Sequence, residues 1–289
     1  MPANDKKKLP KRIQNPCWLR ISSDELLSVV SLVIATTVHI APVGFEVDRI
    51  VLPAIRKKAD RVWLITDKPN HQEDKGSSYA ELIAKRLKAS NIECQQASVD
   101  RIDLFDILRA LRTIIFREKA NYILVNVSVG SKIQAIASMM ACMMFKDMAT
   151  IEPYYVVPQK YNTILLEEKR NQETEGMKDI ITLPEYKIEI PNEKLIECMH
   201  IISQHKDNKI TKRELRDLAL DRNLIYVGKK ETQDEEERSD QAAYMALNKN
   251  LIEPLMDWKF IDVEKIGARH IVSLTNEGIN ALRFLHESK

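Results

Sequence analysis

The chain has 289 residues, 44% of them hydrophobic and 30% charged, with a formal net charge of +2. That length suits two ordinary domains rather than one, and the apolar share is ample for two cores. The near-balanced charge excludes a strongly basic nucleic-acid coat, though it leaves room for local basic patches.

Residues 1–20 are basic, polar and punctuated by proline, the composition of an extended arm. From Leu26 to Phe45 there is no Asp, Glu, Lys or Arg, and the upstream KKKLPKR gives the run the outline of a signal or anchor segment. Asp24 and Glu25 abut the run, however, and Ser28, Ser31, Thr36, Thr37, His39 and Pro42 interrupt it. Ser22-Ser23-Asp24-Glu25 is a capping-box start. The expectation is a short helix ending near Ala35 and then a buried strand, not a membrane span.

From 37 to 157 the pattern alternates. Strands are expected at 37–42, 61–66, 92–97, 121–127 and 152–157, with helices at 46–58, 77–90, 104–119 and 131–147 between them. Strands alternating with helices of this length imply a parallel sheet covered on both faces, a Rossmann-like α/β domain. Prolines at 158, 184 and 191 and the charged EEKRNQETEG then break the rhythm, marking a connector in which YKIEI reads as a short strand. Beyond it come amphipathic helices at 192–205 and 211–222, the first with Leu195, Ile196, Met199 and Ile202 on one face. A third helix runs from about Ser239 to Asp257, followed by two strands around a Gly267 turn. A last helix starts at Thr275, with Ile279, Leu282 and Leu285 inward. Three helices, a β-wing and a closing helix are the order of a winged helix-turn-helix. The expected organisation is a basic arm and short helix over 1–36, the Rossmann-like domain over 37–158, a connector over 159–190 and the winged helix over 191–289. Four scattered cysteines, Cys17, Cys94, Cys142 and Cys198, form no C-x-x-C pair, so reduced thiols of a cytoplasmic protein are expected rather than disulfides or a metal site.

In an open parallel sheet ligands sit beyond the carboxyl ends of the strands, near the point where strand order reverses. Three such ends draw attention: Pro42 to Glu46, Thr66 to Lys68, and Asn126 to Lys132. The last resembles a phosphate loop in the wrong order. Serine separates Gly130 from Lys132, and Val125 stands where a Walker loop needs its first glycine, so triphosphate binding has no support. What remains is Ser128, Gly130 and Ser131 in a turn, a helix N-terminus and Lys132, a set suited to an anion or simply to a capped turn. His39 lies within a strand and reads as a buried, hydrogen-bonded side chain. The helix 131–147 is apolar nearly all round, which implies burial inside the domain or at a subunit interface rich in methionine.

The stretches VHIAPVGFEVDRIVLPAIRKKADRVWLIT, ASVDRIDLFDILRALRTII and NYILVNVSVGSKIQAIASMMA together resemble the CARF domain, the CRISPR-associated Rossmann fold, and in particular the archaeal CARF–winged-helix transcriptional regulators. The family's G-[FY]-E-x-[DE]-R signature matches Gly44, Phe45, Glu46, Asp48 and Arg49. Its N-[VL]-[ST]-x-G-[ST]-K signature matches Asn126, Val127, Ser128, Gly130, Ser131 and Lys132, with Val129 where many members have a second glycine. The resemblance implies a homodimer that senses a cyclic oligoadenylate, cyclic tetra-adenylate being the expected ring, without cofactor or metal. Ser128, Gly130, Ser131 and Lys132 would hold phosphates, Gly44, Phe45, Thr66 and Asp67 would line the adenine and ribose side, and Glu46 and Asn126 complete the expected site. Some members cleave their ligand. Ser131 and Lys132 are where such ring-nuclease activity would reside, and this is the alternative to a regulator that only senses; a sensor of another nucleotide, with the winged helix used for assembly, is a third.

The winged helix carries 16 Lys and Arg against 18 Asp and Glu between 191 and 289, an unusual balance for a partner of double-stranded DNA. The acidic DEEE at 234–237 is expected in the long link before the third helix. Basic residues group at Lys212, Arg213 and Arg216 and at Lys265, Arg269 and His270 in the wing. Arg238, Ser239, Gln241, Tyr244 and Lys249 are the expected groove-facing residues of the third helix.

Overall fold

The computed structural model describes residues 35–68, 76–162, 172–184, 186–226 and 233–286, leaving aside the side chains of 76–77 and 233–239. The basic arm and the helix expected before Ala35 lie outside the described residues. Among those described, no helix is long and apolar enough to cross a membrane.

Five parallel strands form the first sheet: β1 (Thr37–Pro42), β2 (Arg61–Asp67), β3 (Glu93–Val99), β4 (Tyr122–Asn126) and β5 (Thr150–Val157). The helices between them are α1 (Asp48–Arg56), α2 (Gly76–Ala89), α3 (Leu104–Arg117) and α4 (Lys132–Met144). All match the alternation in the sequence. The strand order is β3-β2-β1-β4-β5, so the order reverses between β1 and β4. Strands β1, β2 and β4 are buried on both faces and read as nearly continuous apolar runs, as parallel central strands do. Val38, Ile40, Trp63, Ile65, Ile123 and Val125 pack with α3 and α4, while Ala41, Val62 and Leu64 pack with α1 and α2. The edge strand β3 is polar, ECQQASV, which keeps it from pairing with another chain.

Beyond β5, β6 (Lys160–Tyr161) pairs with β7 (Thr174–Glu175), and β8 (Asp179–Thr182) adds antiparallel to β5. The strand expected at YKIEI is absent. β8 has already closed that edge, and the chain from Tyr186 runs beside α4 instead, the Ile188 amide donating to the Met143 carbonyl at 3.2 Å.

The winged helix comprises α5 (Glu193–Ser203), β9 (Lys209–Thr211), α6 (Lys212–Asp221), α7 (Gln233–Leu247), a π-turn (Asn248–Ile252), α8 (Glu253–Asp257), β10 (Ile261–Ile266), β11 (Arg269–Leu274) and α9 (Asn276–Leu285). Asn192, Thr211 and Thr275 cap α5, α6 and α9 through their side chains. The core joins Leu195, Met199, Leu215, Leu247, Leu251, Leu255 and Val272. Two expectations change here. The third helix starts at Gln233, not Ser239, so DEEE forms its first turns rather than a link. In α9, Ala281, Phe284 and Leu285 are buried, and they join the core of the first domain against α3, whereas Ile279 is only half-buried. Gly278 makes this possible, since a Cβ there would lie 2.2 Å from the carbonyl oxygen of Phe260.

At the amino ends of β1 and β2 the Glu118 carboxylate, 2% exposed, accepts from Arg61 Nη1 at 2.8 and 2.9 Å, Trp63 Nε1 at 2.9 Å and Asn121 Nδ2 at 2.7 Å. Removing it leaves the buried Trp63 indole N–H without its acceptor and Arg61 with Glu93 as its remaining carboxylate. Glu118→Ala is expected to cost about 2–4 kcal/mol, read as a lower urea midpoint at unchanged slope.

Candidate functional site

The reversal of strand order sends the chain from β1 to one face of the sheet and from β4 to the other. The two turns meet back to back at their glycines. A Cβ on Gly44 would stand 3.1 Å from Gly130 Cα, and one on Gly130 only 2.5 Å from Pro42 Cβ and 2.7 Å from Gln134 Oε1. Gly130 also has φ +79°, which side-chain-bearing residues rarely adopt. Only glycine satisfies both the approach and the conformation.

Beneath the β4 turn lies Asn126, fully buried. Its Oδ1 accepts the Ser128 amide at 2.9 Å and the Ser128 hydroxyl, and its Nδ2 donates to the Arg49 carbonyl at 2.8 Å. Asn126 therefore holds the turn from inside and does not line the cavity, a correction to its expected place among ligand contacts: a buried amide is committed to the backbone groups around it. The Ser131 hydroxyl caps α4 by accepting the Gln134 amide at 3.2 Å, and the Ser131 amide in turn donates to Gln134 Oε1 at 2.8 Å. This box leaves the first two helical amides, those of Lys132 and Ile133, without an acceptor among the described residues, and Lys132 is exposed beside them with no ion pair among those residues.

A cavity of about 590 Å³ opens over these turns. It brings together Gly44, Phe45, Glu46, Thr66, Asp67, Ser128, Gly130, Ser131 and Lys132. Seven further lining residues escaped the sequence reading: Ala80, Glu81, Gln96, Ser98, Arg101, Gln134 and Glu173. The polar alternation of β3 was the available signal for Gln96 and Ser98; for Glu173, in the connector, there was none. The far wall is organised by ions and hydroxyls: Arg101 Nε lies 3.3 Å from Asp67 Oδ2, and the hydroxyls of Thr66 and Ser98 are 3.3 Å apart. Phe45, 40% exposed, meets the Tyr79 ring edge-on at 5.6 Å. The cavity thus has a cationic end at Lys132 and a mixed end at Asp67 and Arg101.

The Gly44–Arg49 signature is mostly a fastening. Arg49 donates to the Val156 carbonyl through Nε at 3.1 Å and Nη2 at 2.9 Å. Asp48 accepts Gln172 Nε2 and the Gly176 amide, each at 2.9 Å, while Gln172 Oε1 accepts the amides of Val47 and Asp48 at 3.1 and 3.0 Å. Glu46 accepts the Thr174 hydroxyl at 2.7 Å and sits 3.7 Å from Arg49. The segment assigned to the connector thereby folds back over the β1 turn. His39, buried and bonded through Nδ1 to the Tyr154 hydroxyl at 2.9 Å, is pushed down to about 3 by burial and by Lys57, so it stays neutral and offers no base near neutral pH. No cluster of three or more His, Cys, Asp or Glu suited to a metal occurs among the described residues.

The turn after β3 faces two ways. Arg101 lines the cavity; two residues on, Asp103 caps α3 and pairs with Arg283 of α9, and Phe105 stacks on Phe284 with ring centroids 6.1 Å apart. In the winged helix a second cavity brings together Lys212, Arg213, Tyr244, Arg269 and His270. Gln241 and Lys249 are exposed on the third helix and π-turn, and Lys265 is exposed opposite His270 in the hairpin. The side chains of Arg238 and Ser239 lie outside the described residues. Arg216, expected on the basic face, is instead 7% exposed; it bonds Asp217 at 2.8 Å and Asp240 at 3.0 Å and lies 4.6 Å from the Tyr244 ring centroid, which locks α6 to α7.

Burial raises the Glu46 carboxyl above the ordinary glutamate value, with Thr174 and Arg49 opposing. The unfolded chain therefore releases this proton first as pH rises, and stability falls as pH climbs from the ordinary glutamate value through the raised one. Glu46→Gln is expected to flatten that fall, gaining stability relative to the parent at pH 7 and not at pH 4 in urea titrations.

Residues 37–161 match the family described as HFX_2341_N-like, N-terminal, and residues 194–286 match the DUF6293 C-terminal winged helix domain. A curated relative, the uncharacterized protein MJ1513 of Methanocaldococcus jannaschii, is 28% identical over 199 residues, 62% of this chain; the match spans 59% of that relative's length. Solved structures that match include Enterococcus italicus Csm6 bound to cyclic hexa-2'-fluoro-hexa-dAMP, at 15% identity over 45% of this chain and 35% of that one with a TM-score of 0.36. Another is Can2 from Sulfobacillus thermosulfidooxidans in complex with cyclic tetra-adenylate, at 13% identity over 86% and 63% with a TM-score of 0.37. The chain is thus similar to the first of these families over its α/β domain and to the second over its winged helix.

Proposed function

We propose that this chain is a ligand-responsive regulator, in which the cavity over β1 and β4 binds a cyclic oligoadenylate and the winged helix is the nucleic-acid-contacting output. The carrying observation is the meeting of the Ser128–Lys132 turn with Gly44, Phe45, Asp67 and Arg101 around one open cavity. Hydroxyls, free helix amides and a lysine suit phosphodiesters, and Phe45 with the polar wall suits a base and ribose. The CARF-like signatures at Gly44–Arg49 and Asn126–Lys132 favour a cyclic oligoadenylate, with cyclic tetra-adenylate the first ring to test.

The proposed assembly is a homodimer formed through α4. Its inner face is buried, yet Ile133 and Ile136 are 36% and 55% exposed within a turn or so of Lys132. Covering them with a second copy removes that apolar surface from water and sets two cavities side by side, where one ring reaches both phosphate turns. Ligand contact at Arg101 then bears on Asp103, Arg283 and α9. A ligand shifts the winged helices by binding one arrangement better than the other. A sensor is favoured over a ring nuclease because no imidazole lines the cavity among the described residues and the Ser131 oxygen is occupied as a cap.

Lys132→Ala is expected to weaken cyclic tetra-adenylate at least about tenfold, the scale of one lost charge-assisted contact, in calorimetry, with an unchanged melting temperature without ligand. Equal affinity in parent and variant rejects the site. Labelled ring incubated without metal is expected to remain intact; linear product selects the nuclease reading. Ile136→Glu is expected to give a monomer in sedimentation velocity where the parent sediments as a dimer.

A further inference from the structure

The third helix of a winged helix ordinarily enters the major groove by its first turns. Here those turns are Gln233-Asp234-Glu235-Glu236-Glu237, four consecutive acids. Their charge opposes two converging rows of phosphates, so insertion of this helix into a duplex is disfavoured. The cationic groups lie elsewhere. Lys212 and Arg213 at the start of α6 and Arg269 and His270 at the wing face a cavity of about 590 Å³, and none of the four has an ion-pair partner among the described residues. Tyr244 of α7 lines the same cavity. Its ring is held in place by Arg216, which does not line the cavity and is itself fixed by Asp217 and Asp240.

A concave cleft with cations along its rim and a pre-positioned aromatic ring is the chemistry by which unpaired strands are held: the backbone tracks the charge and a base stacks on the ring. We infer that the winged helix binds a single-stranded nucleic acid in the cleft between α6, Tyr244 and the wing, in place of a duplex on the third helix. This rests on the reading of the winged helix as the nucleic-acid-contacting part of the regulator. Phosphates run past Lys212, Arg213 and Arg269, one base stacks on Tyr244, and the acidic turns of α7 keep duplex out.

The test uses the full chain, fluorescence anisotropy, and one labelled oligonucleotide presented single-stranded or annealed to its complement. The single strand is expected to bind at least about tenfold more tightly than the duplex, with an affinity that falls as salt rises. Arg269→Ala, at an exposed hairpin position, is expected to weaken it and reduce the salt slope by roughly one phosphate contact. Tyr244→Phe, which keeps the ring, is expected to bind like the parent, and Tyr244→Leu to lose roughly tenfold; should Tyr244→Leu fail to fold, the arginine variant and the strand comparison still decide. Duplex binding as tight as the single strand overturns the inference while leaving a nucleic-acid output in place. Binding of neither strand form overturns both the inference and the winged-helix half of the proposed function, and leaves the cyclic oligoadenylate site to its own calorimetric test.

Discussion

Everything in the first domain hangs on the contact between the turns after β1 and β4. Gly44 and Gly130 approach so closely that a methyl on Gly44 meets the Gly130 backbone and one on Gly130 meets the Pro42 ring and the Gln134 side chain of its own helix. This contact lets two strands diverge to opposite faces while their ends stay close enough to wall a single cavity. Asn126 secures it from below by tying the β4 turn to the Arg49 carbonyl of α1, so the two signature stretches are parts of one bonded unit. The capping box at Ser131 and Gln134 then aims the start of α4 across that unit.

The same logic separates binding from holding. In the Gly44–Arg49 stretch Gly44 and Phe45 stand before the cavity, while Glu46, Asp48 and Arg49 bind the returning segment at Gln172–Gly176 and the Val156 carbonyl, Glu46 and Arg49 lining the cavity as well. In the Asn126–Lys132 stretch the asparagine and the first capping interactions are internal, while Lys132 faces outward unpaired among the described residues. A signature in a chain thus mixes residues that touch a ligand with residues that make the touching possible.

The two domains share a core as well as a chain. Phe284 and Leu285 of α9 are buried with Leu108 and Leu111 of α3, and Asp103 serves at once as the cap of α3 and the partner of Arg283. Arg101, two residues from Asp103, stands in the cavity wall. The β3–α3 turn is thus tied to the winged helix by one helix cap that pairs with Arg283 and by one stacked ring pair.

Strands, helices and their order were legible in the sequence because they rest on local signals. Apolar periodicity marked β1, β2, β4 and α3, capping residues marked Ser131, Thr211 and Thr275, and the failed Walker order narrowed the chemistry of the β4 turn. The α/β domain followed by a winged helix, and nine of the cavity residues, were accessible in this way. The positions of DEEE, of Arg216, of Asn126 and of the connector were not, and each depended on a partner remote in the chain. Arg216 is buried because Asp240 lies across from it on α7, and Glu173 reaches the cavity because Gln172 and Thr174 dock on a turn more than a hundred residues earlier. Hydrophobic pattern and capping are decided within a few residues and so are written in the chain; which polar group is spent on structure and which is left for a ligand is decided by burial and by hydrogen-bond partners that exist only once the chain has folded.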